Sequence, residues 1–270
     1  MSADQQMSRT LSYSFTAKSF GSKIATINDE ALLACAGSNA YIDEFTSLIQ
    51  KSIKRRKKSQ FYRDALNDGI LKYDVWMRNK IIKNYPPVAN LESVILQKYP
   101  EGIFIGYDPG VSKNPREKYQ VFEINTPDMA DQAKSDEPVA VGSGSQTCYI
   151  FFESIRTMMQ WLQIEWTGLP FKVVSQFCWI FQRQISRLDR FTSGTEVYLL
   201  LDGRPRRIQQ TEAFDIPEGE KGLDEWHKEN TQFTVFLRAL MDTMEPAKVK
   251  RFIDEGKFKK VVEAIKRMPS

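Results

Sequence analysis

Residues 139–145 (VAVGSGS) join a short apolar run to a turn of glycines and serines, and a helix-patterned stretch follows from Thr147 to about Trp166. The first backbone N–H groups of a helix lack partners within the helix, so small residues at such a turn suit a bound anion or a reacting oxygen. An ordinary tight turn gives the same pattern, because a Gly-Ser motif means little without its context. The segment therefore predicts a strand that ends either at a candidate site or at a purely structural turn.

Few other side chains suggest chemistry by themselves. His227 is the only histidine, and its charged surroundings (DEWHKEN) predict a solvated position, which argues against a Ser-His-Asp or Cys-His hydrolase. The chain has three cysteines without CxxC spacing, so we expect no zinc site, no disulfide framework and no other metal or cofactor. Cys148 lies close to the glycine-serine turn and is either a reactive thiol or, as is more usual, a small buried apolar residue.

Strand and helix patterns occur in groups along the chain. Two short apolar strands at 23–27 (KIATI) and 31–36 (ALLACA) flank a polar turn, and a second hairpin is predicted at 103–108 and 119–124. A pair of helical stretches follows each hairpin, and Asp189 then precedes a Thr-Ser-Gly turn and a strongly apolar strand. This order argues against a βαβ fold and predicts an α+β sandwich of antiparallel sheets covered by helix pairs.

With these elements in place, the sequence resembles the proteasome β-type, bacterial proteasome-like branch of the N-terminal nucleophile (Ntn) hydrolases. The resemblance covers roughly residues 1–210 and rests on local matches that occur in the family's order: SADQQMS, SKI, ACAGS, VGSGS and LDRFTSG. The interval from Lys23 to Gly37 also agrees with the family. The resemblance implies a four-layer αββα sandwich, hydrolysis of peptide or other amide bonds, and assembly into a homo-oligomer.

The resemblance also implies roles for individual residues. Asp4 and Lys23 match the pair that activates the family's nucleophile, since a buried ammonium lowers the cost of forming an oxyanion on a neighbouring hydroxyl. Ser143 and Asp189 match the pair that hydrogen-bonds the free α-amine, whose reference pKa of about 8 lets it serve as general base.

Contacts with the substrate are implied in the same way. Gly37 matches the residue whose backbone N–H binds the tetrahedral oxyanion. Cys35 matches the residue at the base of the substrate pocket, and Ser8 matches a residue on the strand that pairs with an extended substrate.

The nucleophile itself has no counterpart in the sequence. In the family it is the first residue of the mature chain, one hairpin before the aspartate, whereas only Met1, Ser2 and Ala3 precede Asp4, and Gln6 replaces the family arginine. Three interpretations stay open: the sequence is part of a longer protein, it is a non-catalytic scaffold or assembly subunit, or removal of Met1 exposes Ser2 as a nucleophile. The third fits least well, because Ser2 lies about 6 to 7 Å from Asp4 along one strand instead of across a strand pair.

Composition and charge further restrict the class of protein to which the chain could belong. An apolar fraction of 41%, no apolar run of membrane-spanning length and no signal-peptide pattern predict a soluble cytoplasmic protein without membrane contact. The net charge is only +4, but basic residues cluster near the end of the first predicted helix: Lys51, Lys54, Arg55, Arg56, Lys57 and Lys58. This run predicts a solvated helix end stabilised by the helix dipole, and a nucleic-acid-binding patch is the less favoured alternative.

The resemblance fades near Phe214. Residues 1–212 are therefore expected to form the Ntn-hydrolase-like domain, 213–228 an acidic linker with glycines and a proline, and 229–270 a C-terminal extension of two amphipathic helices. Such an extension would cap the domain or contact a neighbouring subunit.

Overall fold

The protein combines antiparallel sheets with pairs of helices, as a computed structural model shows. The structure describes residues 2–3, 6–12, 15–20, 23–56, 61–84, 95–96, 98–114, 116–125, 129–133, 138–162, 169, 171–188, 196–201, 203–209, 212–213, 247, 250–251 and 256. Strands that pair within these residues do so in antiparallel fashion. The α+β class expected from the sequence is confirmed.

Three strands open the chain. They are β1 (Ser2–Ala3), β2 (Gln6–Ser12) and β3 (Phe15–Phe20). β2 and β3 form a hairpin of their own, in which Ser8 lies opposite Lys18. β1 belongs to a different sheet, so the chain changes sheets between Ala3 and Gln6.

The largest sheet has five strands in chain order. They are β4 (Ile24–Ile27), β5 (Ala31–Ala36), β6 (Glu101–Tyr107), β7 (Tyr119–Asn125) and β8 (Asp131–Gln132). The turn between β4 and β5 holds Asn28 and Asp29 at φ 53° and 54°, a left-handed conformation that these residue types tolerate. Both predicted hairpins, β4–β5 and β6–β7, are therefore confirmed.

One face of this sheet is covered by α1 (Asn39–Lys54) and α2 (Tyr62–Asn84). Side chains alternate along β5, so Ala31, Leu33 and Cys35 belong to the core shared with these helices. The largest fully buried side chains of this core are aromatic: Phe45, Tyr62, Tyr73, Phe104 and Phe122. Full burial of a phenylalanine side chain such as Phe45, Phe104 or Phe122 stabilises the fold by about 1.5–3 kcal/mol, so this helix-covered face contributes strongly to stability.

The other face of the sheet meets the sheet that contains β1. Its remaining strands are β9 (Glu196–Leu201) and β10 (Arg204–Ile208), and β9 lies between β1 and β10. Tyr198 and Leu200 on β9 pack against a small cluster of β4 and β5 side chains, namely Ile24, Leu32 and Ala34. The two sheets therefore face each other through apolar side chains.

Two further helices accompany this second sheet. They are α3 (Ser145–Leu162) and α4 (Phe171–Leu188), and α4 contacts β9 and β1. The helices join through stacked rings, with Phe181 on α4 lying 5.9 Å from Phe151 on α3 between ring centroids. The pair of helices predicted after the second hairpin is thus confirmed.

The prediction of a strand at residues 139–141, just before the glycine-serine turn, is wrong. Residues 138–141 pair with no strand among the described residues, and the helix begins at Ser145 instead of Thr147. The backbone groups here bind side chains: Ala140 N–H donates to the Tyr149 hydroxyl at 3.3 Å, and Gly142 N–H donates to Glu101 Oε2 at 2.9 Å. Side-chain partners thus replace the ladder that a strand would need.

The prediction that the basic run is solvated is wrong for Arg56. Arg56 Nη1 lies 2.7 Å from Asp108 Oδ2, and only 12% and 9% of the two side chains are exposed. The guanidinium also lies 4.1 Å from the centre of the Tyr62 ring. Lys51, Lys54 and Arg55 are exposed as expected, whereas Lys57 and Lys58 lie outside the described residues.

Two other expectations fall largely outside the described residues. Asp4 and Asp189 are not among them, nor are most of the predicted linker at 213–228 and of the helical extension at 229–270. No helix in the described part of the chain is both long and apolar enough to cross a membrane.

Candidate functional site

Lys23 lies immediately before β4, at the end of the large sheet where β5 finishes. Its carbonyl accepts a hydrogen bond from Cys35 N–H at 3.3 Å, which fixes Lys23 beside the last residues of β5. Its own N–H donates to Glu196 Oε1 at 2.7 Å, and Ile24 N–H donates to the same oxygen at 3.1 Å. Lys23 is half-buried, so a cationic residue is held at the junction of β4, β5 and β9.

Cys35 faces the core that β5 shares with α1 and α2. Burial raises the pKa of its thiol from the ordinary 9.0 to about 12, although a hydrogen bond with Thr46 acts in the opposite direction. The thiol is therefore neutral at physiological pH and behaves as a small apolar surface and not as a nucleophile.

Gly37 follows β5 directly and is exposed, with φ +135°. A Cβ at this position would lie 3.4 Å from Pro100 Cα and 3.9 Å from the Tyr99 carbonyl oxygen. The Tyr99 hydroxyl donates to Asp74 on α2, whose carboxylate also accepts from Arg78 Nε at 3.0 Å. The Tyr99–Pro100 segment that lies beside Gly37 is therefore held by a hydrogen bond to α2, which limits movement of the Gly37 backbone.

The glycine-serine turn packs against the same sheet end. Gly142 has φ +91°, and a Cβ there would lie 2.9 Å from the Cβ of Ala36, so only glycine fits without movement. Ser145 N–H donates to the Gly142 carbonyl and Cys148 N–H to the Gly144 carbonyl, both at 3.0 Å, which starts α3 at this turn. Ser143 is exposed at the beginning of the helix.

Four of the predicted site residues therefore lie at one end of the large sheet: Lys23, Cys35, Gly37 and Ser143. Ser8 lies on the separate β2–β3 hairpin, opposite Lys18. Asp4 and Asp189 lie outside the described residues, although β1 leads toward Asp4 and pairs with β9. A cationic residue, an exposed hydroxyl and an exposed glycine backbone at one place are the groups that stabilise negative charge on a reacting oxygen.

Sequence reasoning missed three carboxylates that hold this arrangement together. Glu196 binds the N–H groups of Lys23 and Ile24, Glu101 binds Gly142 N–H, and Asp74 binds the Tyr99 hydroxyl. Glu196 carried a usable signal, because it is a charged residue at the start of the otherwise apolar strand EVYLLL. Glu101 and Asp74 lie among ordinary surface-type sequence and carried none. Within the described residues, no group of three or more His, Cys, Asp or Glu side chains is placed to hold a metal ion.

Comparison with known proteins bears on the fold. No family model and no curated protein matches the sequence. Among solved structures, Anbu (ancestral beta-subunit) from Yersinia bercovieri is 11% identical with a TM-score of 0.52, over 100% of this chain and 92% of that chain. Anbu from Hyphomicrobium sp. strain MC1 is 12% identical with a TM-score of 0.51, over 90% of this chain and 92% of that chain.

A third solved structure, eukaryotic HslV from Trypanosoma brucei, is 16% identical with a TM-score of 0.44, over 72% of this chain and 88% of that chain. Likeness to the two Anbu structures at such low identity shows a shared fold. The chain therefore has the proteasome β-like fold that its motifs predicted.

Proposed function

We propose that this chain is a proteasome β-like Ntn hydrolase that cleaves peptide or other amide bonds, and that its layers form a four-layer αββα sandwich. The observation that carries the proposal is the meeting of Lys23, Gly37 and the Gly142–Ser143 turn at one end of the large sheet. These residues come from three separate stretches of sequence, and each matches the family in residue type and order.

Lys23 and Asp4 activate the nucleophile in this mechanism, because a nearby ammonium stabilises the oxyanion that the nucleophile forms. Ser143 and Asp189 orient the free α-amine, which accepts the proton as general base. Their roles are complementary: one pair favours the attacking anion, and the other favours the neutral amine that takes its proton.

Gly37 donates its backbone N–H to the oxyanion of the tetrahedral intermediate, a contact worth about 3 kcal/mol in comparable sites. Cys35 forms part of the apolar base of the substrate pocket, which agrees with its buried neutral thiol. Ser8 lies on a strand that pairs with the extended substrate.

The nucleophile in this proposal is an N-terminal Thr, Ser or Cys, and the test begins with its identity. Intact mass and N-terminal sequencing of the protein from its native cells would show which residue carries the free α-amine. The same preparation is then treated with an electrophile that esterifies N-terminal hydroxyl or thiol nucleophiles, and the modified residue is located by peptide mass spectrometry. Single modification of the first residue with loss of peptide hydrolysis supports the proposal, and an unmodified N-terminus contradicts it.

A non-catalytic scaffold or assembly subunit is the second candidate. Apolar residues on α2 remain 53–61% exposed at helical spacing, namely Leu71, Val75 and Ile82, and such surfaces commonly contact other chains. This candidate predicts a cytoplasmic homo-oligomer without hydrolytic activity, with 213–228 linking the domain to a helical extension at 229–270. Light scattering during gel filtration tests assembly independently of the labelling experiment.

Nucleic-acid binding is the least favoured candidate. Arg56 is engaged by Asp108 and is therefore not available to a phosphate backbone. Among the described residues of the basic run, Lys51, Lys54 and Arg55 are exposed. Affinity for RNA or DNA that falls steeply with salt would revive this candidate.

A further inference from the structure

Glu196 is a buried carboxylate at the junction of the two sheets, with only 1% of the residue exposed. Its Oε1 accepts hydrogen bonds from Lys23 N–H at 2.7 Å and from Ile24 N–H at 3.1 Å. Lys23 is 173 residues away in sequence, so this side chain joins the start of β4 to the start of β9. The link crosses between sheets that otherwise face each other through apolar contacts.

The backbone of Glu196 makes a second connection. Its Cα lies opposite the Cα of Ala3 in the β1–β9 ladder, and Asp4 is the next residue along the chain. One residue therefore contacts Lys23 through its side chain and supports the strand leading to Asp4 through its backbone. These are the two elements that carry the proposed nucleophile-activating pair.

A glutamate is an unusual choice for this position unless it has a specific partner. Its neighbour Val197 is fully buried and Leu199 nearly so, and a buried carboxylate without partners is strongly disfavoured. Two N–H donors to one carboxylate oxygen provide short, charge-assisted hydrogen bonds and satisfy much of that need. An apolar residue would suit the rest of the strand but would leave the Lys23 and Ile24 N–H groups without this acceptor.

We propose that Glu196 is a positioning residue of the amide-hydrolysing centre, because it fixes the backbone of Lys23 relative to β1, the strand that precedes Asp4 in the sequence. This inference rests on the proposed function, which takes Lys23 as the catalytic lysine. Glu196 acts through Lys23 and is not itself expected to touch the substrate. The important quantity is the placement of Lys23, since small displacements of a catalytic group reduce turnover far more than they reduce substrate binding.

The test compares Glu196→Ala and Glu196→Gln with a control in the full-length protein. Glutamine keeps an oxygen that can accept both N–H groups, whereas alanine keeps none. Asp108→Asn is the matched control, because Asp108 is also a buried carboxylate that accepts a backbone N–H, from Gly110 at 3.0 Å, but it lies at the opposite end of the large sheet. Site-resolved hydrogen–deuterium exchange at Lys23 and Ile24 and steady-state peptide hydrolysis are measured on each protein.

We expect Glu196→Ala to raise amide exchange at Lys23 and Ile24 by about tenfold while β5 stays protected. Its kcat should fall by about 10- to 100-fold with KM changed by less than about threefold, and Glu196→Gln should recover most of both losses. Asp108→Asn should lower stability without lowering kcat per folded molecule. If Glu196→Ala does not fold, Glu196→Leu replaces it in both measurements, because leucine suits an apolar strand and also lacks an acceptor for the two N–H groups.

The possible failures are distinguishable. Unchanged exchange at Lys23 and Ile24 in a folded Glu196→Ala protein overturns the inference directly. Raised exchange with unchanged kcat in an active protein overturns the positioning role and leaves the hydrolase proposal standing. A wild-type protein that neither hydrolyses amides nor reacts with the electrophile overturns the proposed function and the catalytic role of Glu196 together, and the exchange measurement then still decides whether Glu196 holds Lys23.

Discussion

The two ends of the large sheet are built from different kinds of interaction. The anchoring end is defined by Arg56, Tyr62 and Asp108, and its contacts involve side chains. Arg56 and Asp108 form a buried ion pair of 2.7 Å, and the Tyr62 hydroxyl donates to the Tyr107 carbonyl at 3.1 Å. At the site end, defined by Lys23, Gly37 and Gly142, the connections involve backbone groups, and both glycines have positive φ. One end ties helices to the sheet, whereas the other leaves backbone and a hydroxyl exposed.

Stability and candidate chemistry thus lie at opposite ends of the large sheet. α1 runs from the site end, where Gly37 and Ser38 precede it, to the anchoring end near Arg56. A firm attachment at the anchoring end allows the site end to keep exposed polar groups, which contribute little to stability but suit a binding site. Changes at the two ends should therefore have different consequences for activity and for folding.

The largest expected effect is on activity at the site end. Lys23→Ala should lower peptide hydrolysis by about 10³-fold or more, as removal of a member of a nucleophile-activating set does in other hydrolases. The denaturation midpoint should change far less than the activity, because alanine keeps the backbone hydrogen bonds that join Lys23 to Glu196 and Cys35. Initial rates with a peptide substrate and urea titration test both halves of the prediction.

The control for this variant is Lys54→Ala, which removes an exposed lysine of α1 and should leave hydrolysis unchanged. Wild-type rates in the Lys23→Ala protein, together with unchanged labelling by the electrophile, would falsify the catalytic role of Lys23.

The second prediction concerns stability at the anchoring end. Arg56→Ala leaves Asp108 as a buried carboxylate without its ion-pair partner and should lower the free energy of unfolding by about 3–5 kcal/mol. Activity per folded molecule should be retained, because Lys23, Gly37 and Ser143 are at the other end of the sheet. Urea denaturation followed by tryptophan fluorescence measures the loss.

Arg55→Ala is the matched variant, since Arg55 is the adjacent residue and is exposed. It should change stability by less than about 0.5 kcal/mol. Equal effects of the two substitutions would show that the buried ion pair does not anchor this end.

The third prediction compares two glycines that have positive φ and close neighbours. Gly142→Ala at the site end has φ +91° and a Cβ 2.9 Å from Ala36, and Gly203→Ala at the anchoring end has φ +77° and a Cβ 2.3 Å from the Tyr107 ring. Each should lower stability by about 1–3 kcal/mol through backbone strain. Only Gly142→Ala should also lower kcat, by about tenfold, because it displaces the turn that carries Ser143.

Stability and kcat measured on the same preparations separate these outcomes. A Gly203→Ala protein that loses activity per folded molecule as severely as Gly142→Ala would contradict the division between the two ends.

The smallest expected effect is a dependence of stability on pH in the buried cores. Burial raises the pKa of the Cys35 and Cys148 thiols to about 12. A raised pKa in the folded state stabilises the fold fully below the ordinary thiol value of 9.0, and this contribution is lost as pH rises from there toward 12. At pH 10 each thiol should therefore cost about 1 kcal/mol of stability relative to pH 8.

Urea titrations at pH 8 and pH 10 measure this loss, and a Cys35→Ala/Cys148→Ala double variant should show a smaller loss than the wild type. An equal loss in both proteins would assign the pH dependence to other groups. Neither thiol should react with iodoacetamide at pH 8 while the protein is folded.

Much of the fold could be predicted because its signals are local. The alternation in ALLACA and in the β6 and β7 segments, the glycines after β5 and the helical spacing that follows all act between residues a few positions apart. The strand expected at 139–141 failed for the opposite reason: its backbone partners are Tyr149 and Glu101, and nothing in the segment itself indicates them.

Within the candidate site, the glycines could be predicted from residue type. Gly37 and Gly142 mark places where the backbone adopts a conformation and a close approach that other residues resist. Lys23 and Ser143 were predicted from a resemblance in motif order, and the structure places both residues at the end of the large sheet with Gly37. Glu101 and Asp74 could not be assigned to this site, because a carboxylate looks the same in sequence whether it is solvated or accepts a hydrogen bond. The position of Glu196 in an apolar strand indicated burial but not its partner Lys23.

Periodicity and turn preferences depend on near neighbours, so the sequence predicted the two hairpins, the two helix pairs, the apolar strand that follows them and the types of residue available for chemistry. Three contacts followed only from the tertiary structure. Glu196 binds Lys23, 173 residues away, Glu101 binds Gly142, 41 residues away, and Asp108 pairs with Arg56, 52 residues away. Such pairings depend on how sheets and helices pack, and packing is set by the whole buried core and not by any one segment.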